Sequence, residues 1–160
     1  MTAFLKDRYA IAGIGQTRIG KVPELSDYGL QLTAVKNALD DAGLKKQDID
    51  GIITHSHKLG AVRVHHQRVA ERLGINTDFG LSVSSGGATS GLMVQVAIAA
   101  IEAGFCTTVL CLHGDKGRTR RTEDVHENVP EYAPEYGMFS ATAQHALGAT
   151  RHMHDYGTTH

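Results

Sequence analysis

The chain contains no tryptophan, only three prolines and only two cysteines among its 160 residues. Cys106 and Cys111 stand without a second pair, which excludes both a disulfide framework and a zinc ribbon, so reduced thiols in the cytoplasm are the expectation. Charge of one sign is also lacking. Sixteen Lys+Arg against seventeen Asp+Glu leave a net charge of -1, and this balance recommends neither a nucleic acid nor an anionic membrane as partner. Long hydrophobic runs are missing as well. The longest, around Leu92 to Ile101, contains Gln95 and falls well short of the ~20 residues that cross a bilayer, so no membrane span is expected. Lys6, Asp7 and Arg8 precede the first apolar run, and no signal-peptide core follows them. Eighteen glycines and a 41% hydrophobic share fit a compact α/β domain with tight strand-to-helix turns.

Tyr9 to Gly15 is a short apolar run that ends in glycines and reads as a first parallel strand, buried on both faces. From Ser26 the period changes. Tyr28, Leu32, Val35, Leu39 and Ala42 recur at helical spacing, and Gly43 is the expected stop. Ile52-Ile53-Thr54 then gives a second strand, which completes a βαβ unit. A helix from about Ala61 to Leu73, a strand over Leu81 to Ser84 and a helix through Ala103, stopped by Gly104, follow. The last of these helices opens on the small residues Ser85 to Gly91. Only Gln95 and Glu102 are strongly polar along it, so it reads as a central helix enclosed by protein. Thr107 to Leu112 forms a fourth strand. Residues 1–113 are therefore expected to be an α/β core with a mostly parallel sheet, whose ligands bind beyond the carboxyl ends of the strands. Residues 114–160 begin a covering domain, with charged residues and Pro130 and Pro134 before a helix from about Phe139 to Tyr156. Thr158 and Thr159 look like the cap of a further helix, which makes the chain read as the N-terminal half of a longer one.

These elements, in this order, resemble the thiolase superfamily, in particular its lipid-transfer or sterol-carrier-type thiolase-like proteins. The resemblance covers nearly the whole chain. It rests on Ala10-Ile11-Ala12-Gly13-Ile14-Gly15-Gln16-Thr17, on Ala38 to Leu44 with Asp48 to Gly51, and on Ala88-Thr89-Ser90-Gly91-Leu92 with Ile101-Glu102-Ala103-Gly104. Tyr136-Gly137-Met138 and Thr142-Ala143-Gln144 add the start of the loop domain. Where the family carries Cys-x-Ser-Gly, this sequence has Ala88-Thr89-Ser90-Gly91, so the nucleophile is absent. A cysteine at a helix N-terminus is favoured as thiolate by the backbone N–H groups and the helix dipole, and a methyl group offers no such chemistry. The family's later histidine and second cysteine fall outside these residues.

The resemblance implies a coenzyme A thioester as substrate and no bound cofactor, with Gly86, Gly87, Ala88, Thr89, Ser90, Gly91 and Met138 as substrate-binding residues and none identifiable as catalytic. It implies carbon–carbon bond cleavage or formation, with the retro-aldol direction favoured because the acyl-accepting cysteine is missing. Some relatives without the nucleophile cleave steroid side-chain acyl-CoA substrates together with a small zinc-ribbon and OB-fold subunit, and a homo-oligomer, normally a dimer, is also implied. A noncatalytic lipid or acyl-CoA-binding subunit and an inactive acyltransferase fragment are the alternatives.

Other signals are weaker. Ser85, Thr89 and Ser90 carry hydroxyls near the turn, but no base can be assigned to them from the sequence. Cys111, inside an apolar strand, and Cys106, past the helix stop, read as small hydrophobes. His55, His57, His65 and His66 invite a metal, yet adjacent His65 and His66 point about 100° apart on a helix, and structural roles are expected. Gly13-Ile14-Gly15 lacks the third glycine of a dinucleotide fingerprint, since position 18 is Arg18. Lys116, Arg118, Arg120 and Arg121 could meet coenzyme A phosphates or form a solvated charged face. Tyr136, Met138 and Phe139 could wall an acyl pocket or belong to ordinary core.

Overall fold

The computed structural model describes residues 5–55, 64–116, 119, 136 and 141–159. The chain divides into two compact units, residues 1–119 and 120–160. In the first, α1 (Asp27–Ala42) starts where the Ser26 hydroxyl accepts the Gly29 N–H at 3.0 Å and stops at Gly43. β1 (Gly51–His55) follows, then α2 (His65–Leu73), β2 (Phe79–Val83), α3 (Thr89–Glu102) and β3 (Val109–Leu112). The three strands are parallel in the order β2-β1-β3.

β1 is central and the most uniformly buried strand, and Ile52 and Ile53 are both fully buried on opposite faces. Each contributes about 2 kcal/mol of burial. On one face Ile52 and Leu112 pack with Val35 of α1 and Val69 of α2. On the other, Ile53 packs with Met93 and Ala97 of α3, beside Phe79, Val83 and Val109. The crossover from β2 to β3 passes over β1, which is why α3 lies on the middle of the sheet. Its buried stripe is Thr89, Met93, Ala97 and Ala100. Its other side leaves Gly91, Val94, Gln95 and Ala99 exposed, so this apolar helix presents a second face for cover.

Tyr9 to Gly15 departs from the expectation. It takes no regular secondary structure and joins no ladder, because β3 pairs with β1 along one edge and no neighbouring strand among the described residues offers the other. It lies instead along α1. The Ile14 N–H donates to Asp41 Oδ2 at 2.8 Å, and Asn37 Nδ2 donates to Gln16 O at 2.8 Å. Gly13 and Gly15 allow this approach: a Cβ on Gly13 would stand 2.6 Å from Ala38 O, and one on Gly15 would collide with Ala34 O. Ile11 and Ile14 are consequently 75% and 72% exposed rather than buried on both faces. Cys111 also departs, since β3 is an edge strand and leaves it exposed.

At the amino ends of the strands one side chain ties the sheet together. Asp50 Oδ2 accepts Thr107 N–H at 2.8 Å and Thr107 Oγ1 at 2.7 Å, and Oδ1 accepts Thr108 N–H at 2.7 Å. Its own carbonyl accepts the N–H groups of Asp78 and Phe79. The second unit contains α4 (Ala141–Tyr156), with Arg151 Nε 2.6 Å from Asp155 Oδ2.

Candidate functional site

Ser84 to Ala88 join the end of β2 to the head of α3, at the carboxyl edge of the sheet. Ala88 N–H donates to Ser85 O at 3.1 Å and Thr89 N–H to Gly86 O at 3.2 Å, a tight turn with Gly86 at φ 53°. Ala88 is the N-cap residue and its methyl is exposed. No side chain caps the helix, and Thr89 instead ties the turn ahead of it: its Oγ1 accepts Ser85 N–H at 2.9 Å and donates to Gly86 O at 2.7 Å. Thr89 is therefore buried, its hydroxyl committed to the turn and unsuited as a nucleophile. Leu92 N–H makes the first helical bond, to Ala88 O, so the amides of Ser90 and Gly91 lie ahead of any intrahelical acceptor. A Cβ on Gly86, Gly87 or Gly91 would meet nothing within 4 Å. The turn thus presents backbone and small side chains to open space. Met138 lies outside the described residues, as do Phe139, Arg118, Arg120, Arg121 and His57. Lys116 uses its N–H on Asp27 Oδ1 at 3.0 Å, and Tyr136 is exposed.

Neither thiol is poised for attack. Burial pushes Cys106 up, and the carboxylates of Asp50 and Asp78 push it further. Desolvation of the Cys111 sulfur on the side facing α3, where it lies 3.7 Å from Met93 O, raises that thiol too. Thiolate is disfavoured at both.

The histidines separate onto the two faces of the sheet. Ser82 Oγ sits 2.9 Å from His66 Nδ1, 3.0 Å from Thr54 Oγ1 and 3.2 Å from the His66 N–H that donates to it. Burial lowers the His66 pKa, so the ring is neutral near pH 7. A Cβ on Gly80 would stand 2.6 Å from His66 Cδ2, so the bare backbone there makes room for this ring. Ser82 and His66 therefore hold α2 to the sheet, a tie that spacing alone does not reveal. His65 is buried, 5.8 Å from the Tyr28 ring between centroids. His55 and His113 meet edge to face at 4.6 Å between ring centroids. Among the described residues no three His, Cys, Asp or Glu side chains are placed to hold a metal ion.

No family model matches the chain. A "steroid side-chain-cleaving aldolase" of Thermomonospora curvata is 32% identical over 162 aligned residues, covering 94% of this chain and 40% of its own length. A "17-hydroxy-3-oxo-4-pregnene-20-carboxyl-CoA lyase" of Mycobacterium tuberculosis is 30% identical, covering 97% of this chain and 42% of its own. Among solved structures, an "Ltp2-ChsH2(DUF35) aldolase" matches with a TM-score of 0.75 at 31% identity, over 94% of this chain and 39% of that one. A monomeric "SCP2-thiolase like protein type 1" of Mycobacterium smegmatis shares the fold, with a TM-score of 0.51 at 23% identity over 63% of this chain and 22% of that one. The chain is a thiolase-like protein. This thiolase-like chain spans about two fifths of the length of the curated relatives it matches. No helix among its described residues is long and apolar enough to cross a membrane.

Proposed function

We propose that this thiolase-like chain supplies the thioester-facing α/β portion of an acyl-CoA aldolase, cleaving a carbon–carbon bond by retro-aldol chemistry without a covalent acyl-protein. The observation that carries this reading is the exposed Ala88 methyl at the head of α3, the position at which the resemblance puts the family's cysteine, with open space around the glycines of the turn. With Thr89 Oγ1 bonded inside the turn and both thiols pushed up, acyl transfer to the protein has no strong nucleophile among the described residues. Retro-aldol cleavage needs none. A β-hydroxyacyl thioester loses its hydroxyl proton, its Cα–Cβ bond breaks, and the electron pair passes to the thioester carbonyl oxygen. The amides of Ser90 and Gly91, at the positive end of α3, are suited to that oxyanion. Gly86, Gly87 and Ala88 leave room for the thioester.

Similarity to an aldolase and to a CoA lyase by name supports this reaction class. Coenzyme A enters as substrate, with no bound cofactor. The exposed side of α3 and the edges of β2 and β3, unpaired among the described residues, support a chain that works against further protein. We assign a companion subunit of the zinc-ribbon and OB-fold kind to that role, in keeping with the two-component aldolase among the solved structures. The edge of β2, open among the described residues and with Leu81 exposed, favours self-association into a homo-oligomer. Residues 1–113 are assigned to the catalytic core and 114–160 to the start of a covering domain. Two free thiols fit the cytoplasm.

The test is incubation with a β-hydroxyacyl-CoA, followed by mass spectrometry of small molecules and intact protein. A carbonyl product, a shortened acyl-CoA and an unmodified protein are expected. A thioester that is bound and returned intact identifies a noncatalytic carrier and overturns the aldolase reading.

A further inference from the structure

Two imidazoles occupy the same end and the same face of the sheet as the head of α3. β1 ends at His55, whose partner across the ladder is Val83, the last residue of β2 before the Ser84 to Ala88 turn. Ile53, Val83 and Val109 all pack on the α3 side. Side chains alternate along a strand, so His55 shares that face with Ile53. β3 runs in register with β1 up to Thr54 and Leu112, which brings His113 alongside His55 one step beyond the ladder. The rings meet at 4.6 Å between centroids and 60° between planes. Because β2 and β3 are parallel, α3 must start at the carboxyl edge and return to the amino edge, so Ala88 stands at the end where the two rings lie. His55 is half-buried and His113 exposed.

We propose that His55 and His113 are the acid–base pair of the reaction at the head of α3. This rests on the retro-aldol reading above. Imidazole is the side chain whose ordinary pKa lets it accept a proton and return it near neutral pH. One ring takes the proton of the substrate β-hydroxyl as the Cα–Cβ bond breaks. The bond's electron pair moves onto the thioester carbonyl oxygen, leaving a ketone and a thioester enolate. The pair then delivers that proton to the enolate α-carbon. The net change is one proton moved from oxygen to carbon, with no oxidant or reductant involved.

The test uses the full chain with 3-hydroxy-3-methylbutanoyl-CoA in deuterated water, reading cleavage rate, deuterium at the α-carbon of the acetyl-CoA formed, and thioester affinity by calorimetry. His55→Gln and His113→Gln are expected to lower cleavage and labelling roughly 100-fold each, with the dissociation constant within about twofold of wild type. His152→Gln, on α4, is expected to match wild type. His55→Asn and His113→Asn accompany them, and the variants read are those whose melting curves overlay wild type. Wild-type rates in folded His55 and His113 variants overturn the assignment while the retro-aldol reading stands. A wild-type chain that neither cleaves nor labels the thioester overturns both.

Discussion

Replacing Asp50 with alanine is expected to destabilise the first unit by about 3 kcal/mol, a fall of roughly 10 °C in melting temperature. The carboxylate gathers three hydrogen bonds from Thr107 and Thr108, which place the start of β3 beside β1, while the Asp50 carbonyl places the start of β2. Alanine leaves the Thr107 and Thr108 donors without this acceptor, and hydrogen bonds to a charged group are among the stronger ones. Desolvation alone raises the Asp50 pKa, but the bonds from Thr107 and Thr108 outweigh it and hold the carboxyl below its ordinary value. The sign follows. The contribution is complete above the unfolded carboxyl value, about 4, and is lost as the pH falls through the lower folded value. Asp50→Asn keeps one acceptor, so it should lose less stability than alanine and lose the Asp50 part of the acid sensitivity. Thermal melts of the three proteins from pH 7 to pH 3 check this.

Ala88→Cys is expected to create the most reactive thiol in the chain, alkylated by iodoacetamide at pH 7 roughly tenfold faster than Cys111. The position is exposed and already turned into the head of α3, so a larger side chain needs no new backbone. Helix N–H groups and dipole stabilise a thiolate there, whereas the environments of Cys106 and Cys111 disfavour one. Peptide mapping after timed alkylation gives the three rates side by side. Residue 88 labelled no faster than Cys111 would remove the electrostatic basis of the site.

Elements with local punctuation are legible in the sequence. Ser26 and Gly43 bracket α1, Gly74 ends α2 after its His65 start, and the small residues ahead of Thr89 mark the turn. The family resemblance is carried by the same stretches, and the comparisons bear it out. Tyr9 to Gly15 reads as a strand from its own residues, but a strand exists only beside another, and the two glycines let α1 take that place. Cys111 shows the same limit: apolar neighbours in sequence do not tell an edge strand from a central one. At the site, the small-residue turn and the methyl of Ala88 at the head of α3 are legible in the sequence. The approach of His55 to His113 and the tie from Ser82 to His66 are not, because each joins separate elements through ladder register.

The most direct measurement is amide hydrogen exchange of the whole chain with and without butanoyl-CoA, together with the intact mass of the protein. Slower exchange centred on Gly86 to Gly91, with no mass added, is the predicted result, since the proposed function has the thioester held by backbone amides and never transferred to the protein. Unchanged exchange across that turn, or a butanoyl adduct on the chain, would contradict the account.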